Sequence, residues 1–179
     1  MYYSTIYQSP LGLMTLASDG DNLVGLWLDG QKYHGGTILS KTTTRDDHPI
    51  FVSSKRWLDR YFRGEQPIIA DLPLAPIGSA FRQSVWQILC QIPYGKTITY
   101  REIAQQIANQ TGKTGMSSQA VGGAVGHNPI SIIIPCHRVI GAKGSLTGYA
   151  GGIDVKIKLL ELENADFSKL FIPQKRSAI

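Results

Sequence analysis

The period of the apolar residues changes once along the chain, at Leu74-Ala75-Pro76-Ile77-Gly78. Before that point the apolar residues come in short β-rich runs separated by turn chemistry. After it they fall at helical spacing. Such a break segregates strands from helices and points to an α+β chain rather than alternating βαβ units or a helical bundle.

The runs Tyr2 to Tyr7, Leu13 to Ala17 and Asn22 to Leu28 read as an antiparallel meander. Ser9-Pro10-Leu11-Gly12 and Ser18-Asp19-Gly20-Asp21 supply the turns. His48 to Phe62 reads as a helix with Val52, Trp57, Leu58, Tyr61 and Phe62 inward and Gly64 as its stop. Ile68 to Leu74 reads as one more strand. Past the break, Ser79 to Ile92 is an amphipathic helix with Ser79 as N-cap and Phe81, Val85, Trp86, Leu89 and Ile92 on one face. Thr99-Tyr100-Arg101-Glu102 is a capping box that opens a second helix. Gln110 to Gly115 is a polar loop, Ser117 to Gly126 a third, short helix, Ile130 to Ile134 an apolar β-prone run, and Asp154 to Asn164 a last helix carrying Ile157, Leu160 and Leu162. Three helices joined by short turns and followed by extended segments predict a winged helix-turn-helix module.

The length, 179 residues, allows one domain or two small ones. No apolar stretch is long enough to span a membrane. MYYSTIYQSP lacks the basic and apolar regions of a signal peptide, so a cytoplasmic location is expected. Two cysteines, Cys90 and Cys136, exclude a disulfide framework. The net charge of +5 is unevenly placed. Residues 1–79 carry 7 basic and 8 acidic side chains, residues 80–179 carry 11 and 5, and residues 103–153 contain no Asp or Glu. Such a span can approach a polyanion without local repulsion, although a Gly-rich loop region with few charges has the same composition.

Three stretches carry potential chemistry. In Pro135-Cys136-His137-Arg138-Val139 an imidazole adjoins a thiol whose free pKa is about 8.5, so the pair reads as an assisted nucleophile; the plain alternative is a cysteine that fills core. Cys90, inside an amphipathic helix, reads as packing. In Gln119-Ala120-Val121-Gly122-Gly123-Ala124-Val125-Gly126 each glycine costs a helix about 1 kcal/mol, which calls either for close approach of another surface or for tight packing. Gly148-Tyr149-Ala150-Gly151-Gly152 is a flexible loop with one aromatic and lacks any nucleotide-binding spacing. Glu163 ends the last helix, where the dipole disfavours an anion; it is either paired with a cation or histidine, or solvated.

Together Asn128-Pro129, Pro135 to Val139, Gly148 to Gly152, Ala120 to Ala124 and Leu159 to Glu163 resemble the O6-alkylguanine-DNA alkyltransferases, over about residues 80–165. The resemblance implies a ribonuclease-H-like αβ domain at 1–76 and a winged helix-turn-helix alkyltransferase domain at 77–179. It implies direct DNA repair without cofactor or metal, by a monomer acting on double-stranded DNA and away from membranes. An O6-alkylguanine is flipped out, and its alkyl group moves irreversibly to Cys136. His137 would take the thiol proton through a water, with Glu163 orienting it, Tyr100 protonating the departing guanine and Asn128 bracing the turn. Pro135, Val139, Tyr149 and Ala150 would line the pocket, with the Cys136 and Val139 carbonyls accepting the exocyclic amine and the Ala150 amide facing O6. Ala120, Gly122 and Gly123 would let their helix enter the minor groove. Gln119 stands where many members have an arginine that fills the vacated stack, which predicts weaker DNA binding and slower flipping. The 110–115 loop is expected to be longer than usual. Two other classes compete: a lesion binder that does no chemistry, and a cysteine hydrolase built on Cys136, His137 and Glu163.

Overall fold

The computed structural model describes residues 1–112 and 115–173. The first 76 residues form a four-stranded sheet and one helix. Strands β1 (Tyr2–Ser9), β2 (Gly12–Ser18) and β3 (Leu23–Leu28) make the expected meander. A short β4 (Thr42–Thr44) adds in parallel to β1, giving the order β3-β2-β1-β4. The first turn closes because the Ser9 hydroxyl accepts from Leu11 N at 3.0 Å. The second closes because Asp19 Oδ1 accepts from Asp21 N and Asn22 N at 3.0 and 2.7 Å.

Helix α1 (Pro49–Phe62) starts one residue later than expected because Pro49 suits the first turn and His48 is extended. Its buried face is Ile50, Phe51, Trp57, Leu58 and Tyr61. Val52, expected inward, is 47% exposed, and Phe62 is only partly covered. The expected strand at 68–74 is a single 3-10 turn, Ile69–Asp71. Pro67, Pro73 and Pro76 lack amide protons and cannot sustain a ladder. Only Leu74 bridges, to Leu23, with Leu23 N donating to Pro73 O at 2.8 Å.

The second half opens with α2 (Ala80–Cys90), capped by Ser79 as expected. The reciprocal capping box of Thr99 and Glu102 starts α3 (Tyr100–Thr111), which stops at Gly112 in the left-handed conformation. Lys113 and Thr114, in the polar loop noted above, lie outside the described residues. Ser117 caps α4 (Ser118–Gly126), and α5 (Ile153–Leu162) closes the fold. A two-residue parallel pair, β5 (Ile98–Thr99) with β6 (Val139–Ile140), ties the start of α3 to the segment after Cys136.

One hydrophobic cluster runs through both halves, from Met14, Leu16, Leu26 and Leu58 to Trp86, Val121, Ile130 and Ile134. The outer edge of β3 is covered, which removes an aggregation-prone free edge. Leu26 N donates to Pro129 O at 2.9 Å and Leu26 O accepts from Ser131 N at 2.8 Å. The run Ile130 to Ile134 is not a strand. It is a buried turn in which only Ile130 bridges, to Leu26.

Candidate active site

The turn that carries Cys136 is built around Asn128. The Asn128 Nδ2 donates to Ile130 O at 3.2 Å and Ile134 O at 2.8 Å, and it approaches Cys136 Sγ at 3.1 Å. Its Oδ1 accepts from Ile130 N at 3.0 Å. One side chain thus replaces the partners a sheet would have supplied, which is why a β-prone run folds as a turn. Ile132 pays for this with φ +69°, a conformation β-branched residues avoid.

Cys136, His137 and Arg138 form a 3-10 turn, so their side chains leave in three directions instead of alternating across a strand. Cys136 is 4% exposed and belongs to the main apolar cluster. Cys136 therefore fills core, as the plain alternative has it. Burial pushes its thiol up, opposed by the Asn128 hydrogen bond and the charge of Lys156. At rest the sulfur is a thiol and needs a base.

His137 is fully buried. Its Nε2 lies 2.7 Å from Glu163 Oε1. The ionised carboxylate only accepts, so the proton sits on Nε2 and the Nδ1 lone pair is free to act as base. Among the described residues His137 Nδ1 has no partner, and neither has the buried Tyr149 hydroxyl, whose ring stands edge-on to His137 at 6.5 Å. Two buried orphan polar atoms on neighbouring rings suit an ordered water. Burial holds the imidazole neutral; Glu163 opposes this, and Arg138 and Lys156 reinforce it.

Glu163, the residue after α5, is 2% exposed and therefore not solvated. Its Oε2 accepts from Arg138 Nε at 2.8 Å and from Gly95 N at 3.1 Å. Its Oε1 accepts from His137, from Arg138 Nη2 at 2.9 Å and from Tyr61 Oη at 2.7 Å. Burial alone would raise this carboxyl, but the donors on His137 and Arg138 outweigh it and hold it well below the usual carboxylate range. Gly95 has φ +70°, and a Cβ there would stand 2.5 Å from the Glu163 carbonyl oxygen, so only glycine delivers this amide.

Tyr100 follows β5 directly, and its hydroxyl lies 3.3 Å from the carbonyls of Thr147 and Gly148. Burial, with the neighbouring Cys136, pushes its phenol up to about 12. A Cβ on Gly148, where φ is +71°, would meet that hydroxyl at 2.5 Å. Tyr100 also lines an open cleft of about 860 Å³ with Thr99, Arg101, Gln119, Gly122 and Lys143.

Helix α4 buries Val121, Ala124 and Val125 against α2, where Trp86 Nε1 donates to Ala124 O at 2.9 Å. Gln119, Ala120 and Gly123 face outward. A Cβ on Gly123 or Gly126 would meet nothing within 4 Å, and one on Gly122 only the Tyr100 ring at 3.9 Å. Among the described residues, Gly123 and Gly126 pack against no neighbouring element on the side a Cβ would take.

Among the pocket residues, Pro135 leads into the turn, and the Ala150 carbonyl accepts from Lys32 N at 3.1 Å. The Cys136 carbonyl accepts from Val139 N, and the Val139 carbonyl from Lys156 Nζ. Each of these two carbonyls keeps a second lone pair. Among the described residues no group of three or more His, Cys, Asp or Glu could hold a metal ion, and no helix is long and apolar enough to cross a membrane.

Sequence reasoning missed three members of the site. Arg138, adjacent to His137 in sequence, donates twice to Glu163. Tyr61 looked like one more core aromatic of α1. Lys156 is fully buried, and its ammonium bridges Val139 O and Thr147 O, with burial pulling its pKa down to about 8. A signal existed for it: Lys156, Leu159, Leu160 and Glu163 recur at i, i+3, i+4 and i+7 and form the buried stripe of α5, while Ile157 and Leu162 are only partly covered.

A sheet domain joined to a helix-turn-helix unit, with a buried cysteine, a neutral histidine and an ionised glutamate brought together, defines a cysteine-dependent protein with an exposed helix suited to a polyanion. Comparison with known proteins agrees. The family model described as "6-O-methylguanine DNA methyltransferase, ribonuclease-like domain" matches residues 1–76, and that described as "6-O-methylguanine DNA methyltransferase, DNA binding domain" matches residues 80–165. The chain belongs to the 6-O-methylguanine DNA methyltransferase family. It is 41% identical to a methylated-DNA–protein-cysteine methyltransferase of Haemophilus influenzae over 92% of this chain and 88% of that protein. It is 47% identical to one of Mycobacterium tuberculosis over 92% and 93%. The crystal structure of the Mycobacterium tuberculosis OGT in complex with DNA is similar with a TM-score of 0.73, at 43% identity over 91% of this chain and 92% of that one.

Proposed function

We propose that the protein restores guanine in duplex DNA by flipping an O6-alkylguanine from the stack and transferring its alkyl group to Cys136. The observation that carries this reading is the buried His137, next in sequence to Cys136, whose Nε2–H is pinned by Glu163 while its Nδ1 has no partner among the described residues. A water there passes the thiol proton to Nδ1, and Glu163 stabilises the resulting imidazolium. The S–C bond forms as the C–O6 bond breaks. The electron pair left on guanine takes a proton from Tyr100, and solvent later returns one to the phenolate. The product is a thioether with no group poised to cleave it, so each molecule acts once.

A thiol this buried cannot reach a stacked base, so the nucleotide must turn out into the protein. The outward face of Gln119, Ala120, Gly122 and Gly123 supplies the surface that enters the minor groove, and Arg101 and Lys143 beside the cleft supply cations for phosphates. Pro135, Val139, Tyr149 and Ala150 shape the pocket for the extruded base.

Intact-protein mass spectrometry after mixing with duplex DNA containing O6-methylguanine tests this. One methyl group is expected on the wild type and on Cys90→Ser, and none on Cys136→Ser. Unmodified wild type that still binds the lesion would select the lesion-binder reading. Release of product beyond one equivalent would select a hydrolase.

Gln119 provides a second check. It can fill the vacated stack and hydrogen-bond the orphaned cytosine, but it brings no cation. Gln119→Arg is expected to raise the transfer rate at low DNA concentration by about threefold to tenfold, with a steeper loss of binding as salt rises. The rate with free O6-methylguanine base should stay unchanged. An unaltered rate on duplex DNA would show that position 119 takes no part in flipping.

A further inference from the structure

Among the described residues, Tyr61 is the one side chain from the first 76 residues that hydrogen-bonds to the Glu163–His137 pair. It sits on α1, is 1% exposed, and its ring is fixed between Trp57, stacked at 5.6 Å, and the edges of Phe62 and Tyr94. Its hydroxyl donates to Glu163 Oε1, the oxygen that His137 also uses, and stands 3.4 Å from His137 Nε2. Burial, then the adjacent carboxylate, push this phenol well above its ordinary range, so it remains a donor.

We propose that Tyr61 is a positioning residue for alkyl transfer: its hydroxyl shares Glu163 Oε1 with His137, fixing that oxygen in place and tempering its pull on the imidazole, so that helix α1 of the N-terminal half completes the catalytic relay. This rests on the transfer reaction proposed above. Five donors converge on the carboxylate: Tyr61, His137, Gly95 and two from Arg138. Each one spreads its negative charge. A carboxylate that faced His137 alone would hold the imidazolium strongly, and an imidazole already protonated cannot accept the thiol proton. Sharing Oε1 keeps His137 oriented and still neutral. The other titratable groups facing the pair are Arg138 and Cys136 on the 3-10 turn, Tyr94 after α2, Tyr149 of the glycine-rich loop and Lys156 on α5. None of these is altered by a change at position 61.

Tyr61→Phe keeps the ring and removes the donor. A 3-fluorotyrosine placed at position 61 keeps the shape and strengthens the donor. The His137 titration midpoint is read by imidazole NMR without DNA, beside the pH profile of Cys136 methylation. In Tyr61→Phe the midpoint and the acid limb of the profile are expected to rise by about half a pH unit or more, with the rate recovering at higher pH. In the fluorotyrosine protein both are expected to fall, which keeps the test open if Tyr61→Phe folds poorly. Equal midpoints in all three proteins, or a rate loss uniform with pH, overturn the proposal. The NMR comparison does not depend on DNA, so a wild type that takes up no methyl group would sink the transfer reading alone.

Discussion

Glu163→Gln is expected to slow methyl transfer by about 10²- to 10⁴-fold and to lower the melting temperature by on the order of 10 °C. The rate loss follows from the base: a neutral amide offers His137 its oxygen in only one of two orientations and does not stabilise the imidazolium. The stability loss follows from Arg138, which is 6% exposed and has Glu163 as its counter-ion. Stranding a buried guanidinium costs about 3–5 kcal/mol, far more than an exposed ion pair contributes. The substituted amide would also turn its own N–H groups toward Arg138 Nε and Gly95 N, or toward Tyr61 and His137, because donors occupy both oxygens. The pH dependence has a defined sign. Glu163 titrates below its ordinary value of 4.5 in the folded state, so its contribution is complete above about pH 4.5 and is lost as pH falls toward the folded value. His137 is held neutral, so the unfolded chain binds the extra proton and stability also declines as pH drops below 6.5. Thermal melts from pH 7 down to pH 3 should show a steep acid decline in the wild type and a flatter one in Glu163→Gln. Equal melting temperatures for the two proteins at neutral pH would refute the assignment of Glu163 as the counter-ion on which Arg138 depends.

Asn128→Ala separates catalysis from stability. It strands Ile130 N inside the core, at about 1–3 kcal/mol, and removes one of the two hydrogen bonds at each of the Ile130 and Ile134 carbonyls, which keep Ile134 N and Cys136 N as donors. Relaxation offsets part of this, because a freed turn lets Ile132 leave its left-handed conformation and recover about 1–3 kcal/mol. The net loss expected is about 2 kcal/mol, or roughly 4–8 °C. The relaxation that limits the stability loss is what harms function. It moves Cys136, and a displacement of about 1 Å at a reacting atom can cost 10²-fold in rate. Transfer is therefore expected to fall by more than about a hundredfold in a protein that still folds cooperatively. Denaturation midpoints measured beside single-turnover methylation rates decide the matter. Parallel losses in the two, each explained by the fraction unfolded, would reduce Asn128 to a purely structural residue.

Much of the local structure was legible because its causes are local. The Thr99–Glu102 capping box, the Ser79 cap, and the turns at Ser9 and Asp19 use hydrogen bonds between residues two or three apart. Residue types at those spacings specify them. The run Ile130 to Ile134 was misread because β-branched residues favour strands, while the partner that replaces the ladder is a side chain, Asn128. The strand expected at 68–74 failed against Pro73 within it and Pro67 just before it. In the site itself, Cys136, His137, Asn128, Tyr100 and Glu163 were identifiable through the motifs they share with a known family, and the structure brings them together. Tyr61 and Lys156 were hidden because an aromatic on a helix reads as core and a lysine reads as surface.

By itself the sequence determined where strands give way to helices, that Ser79 and Thr99 cap two of them, which cysteine has a histidine beside it, and that the acid-free span holds the glycine-rich helix and Cys136. Only the tertiary structure decided that Glu163 is buried with five donors, that His137 is neutral with its proton on Nε2, and that a tyrosine from the N-terminal half shares the Glu163 carboxylate. The reason is electrostatic. Protonation states in a low-dielectric interior depend on which groups converge there, and Glu163 meets partners 25, 26 and 102 residues away. No local pattern encodes separations of that size; packing of the two halves around one core sets them.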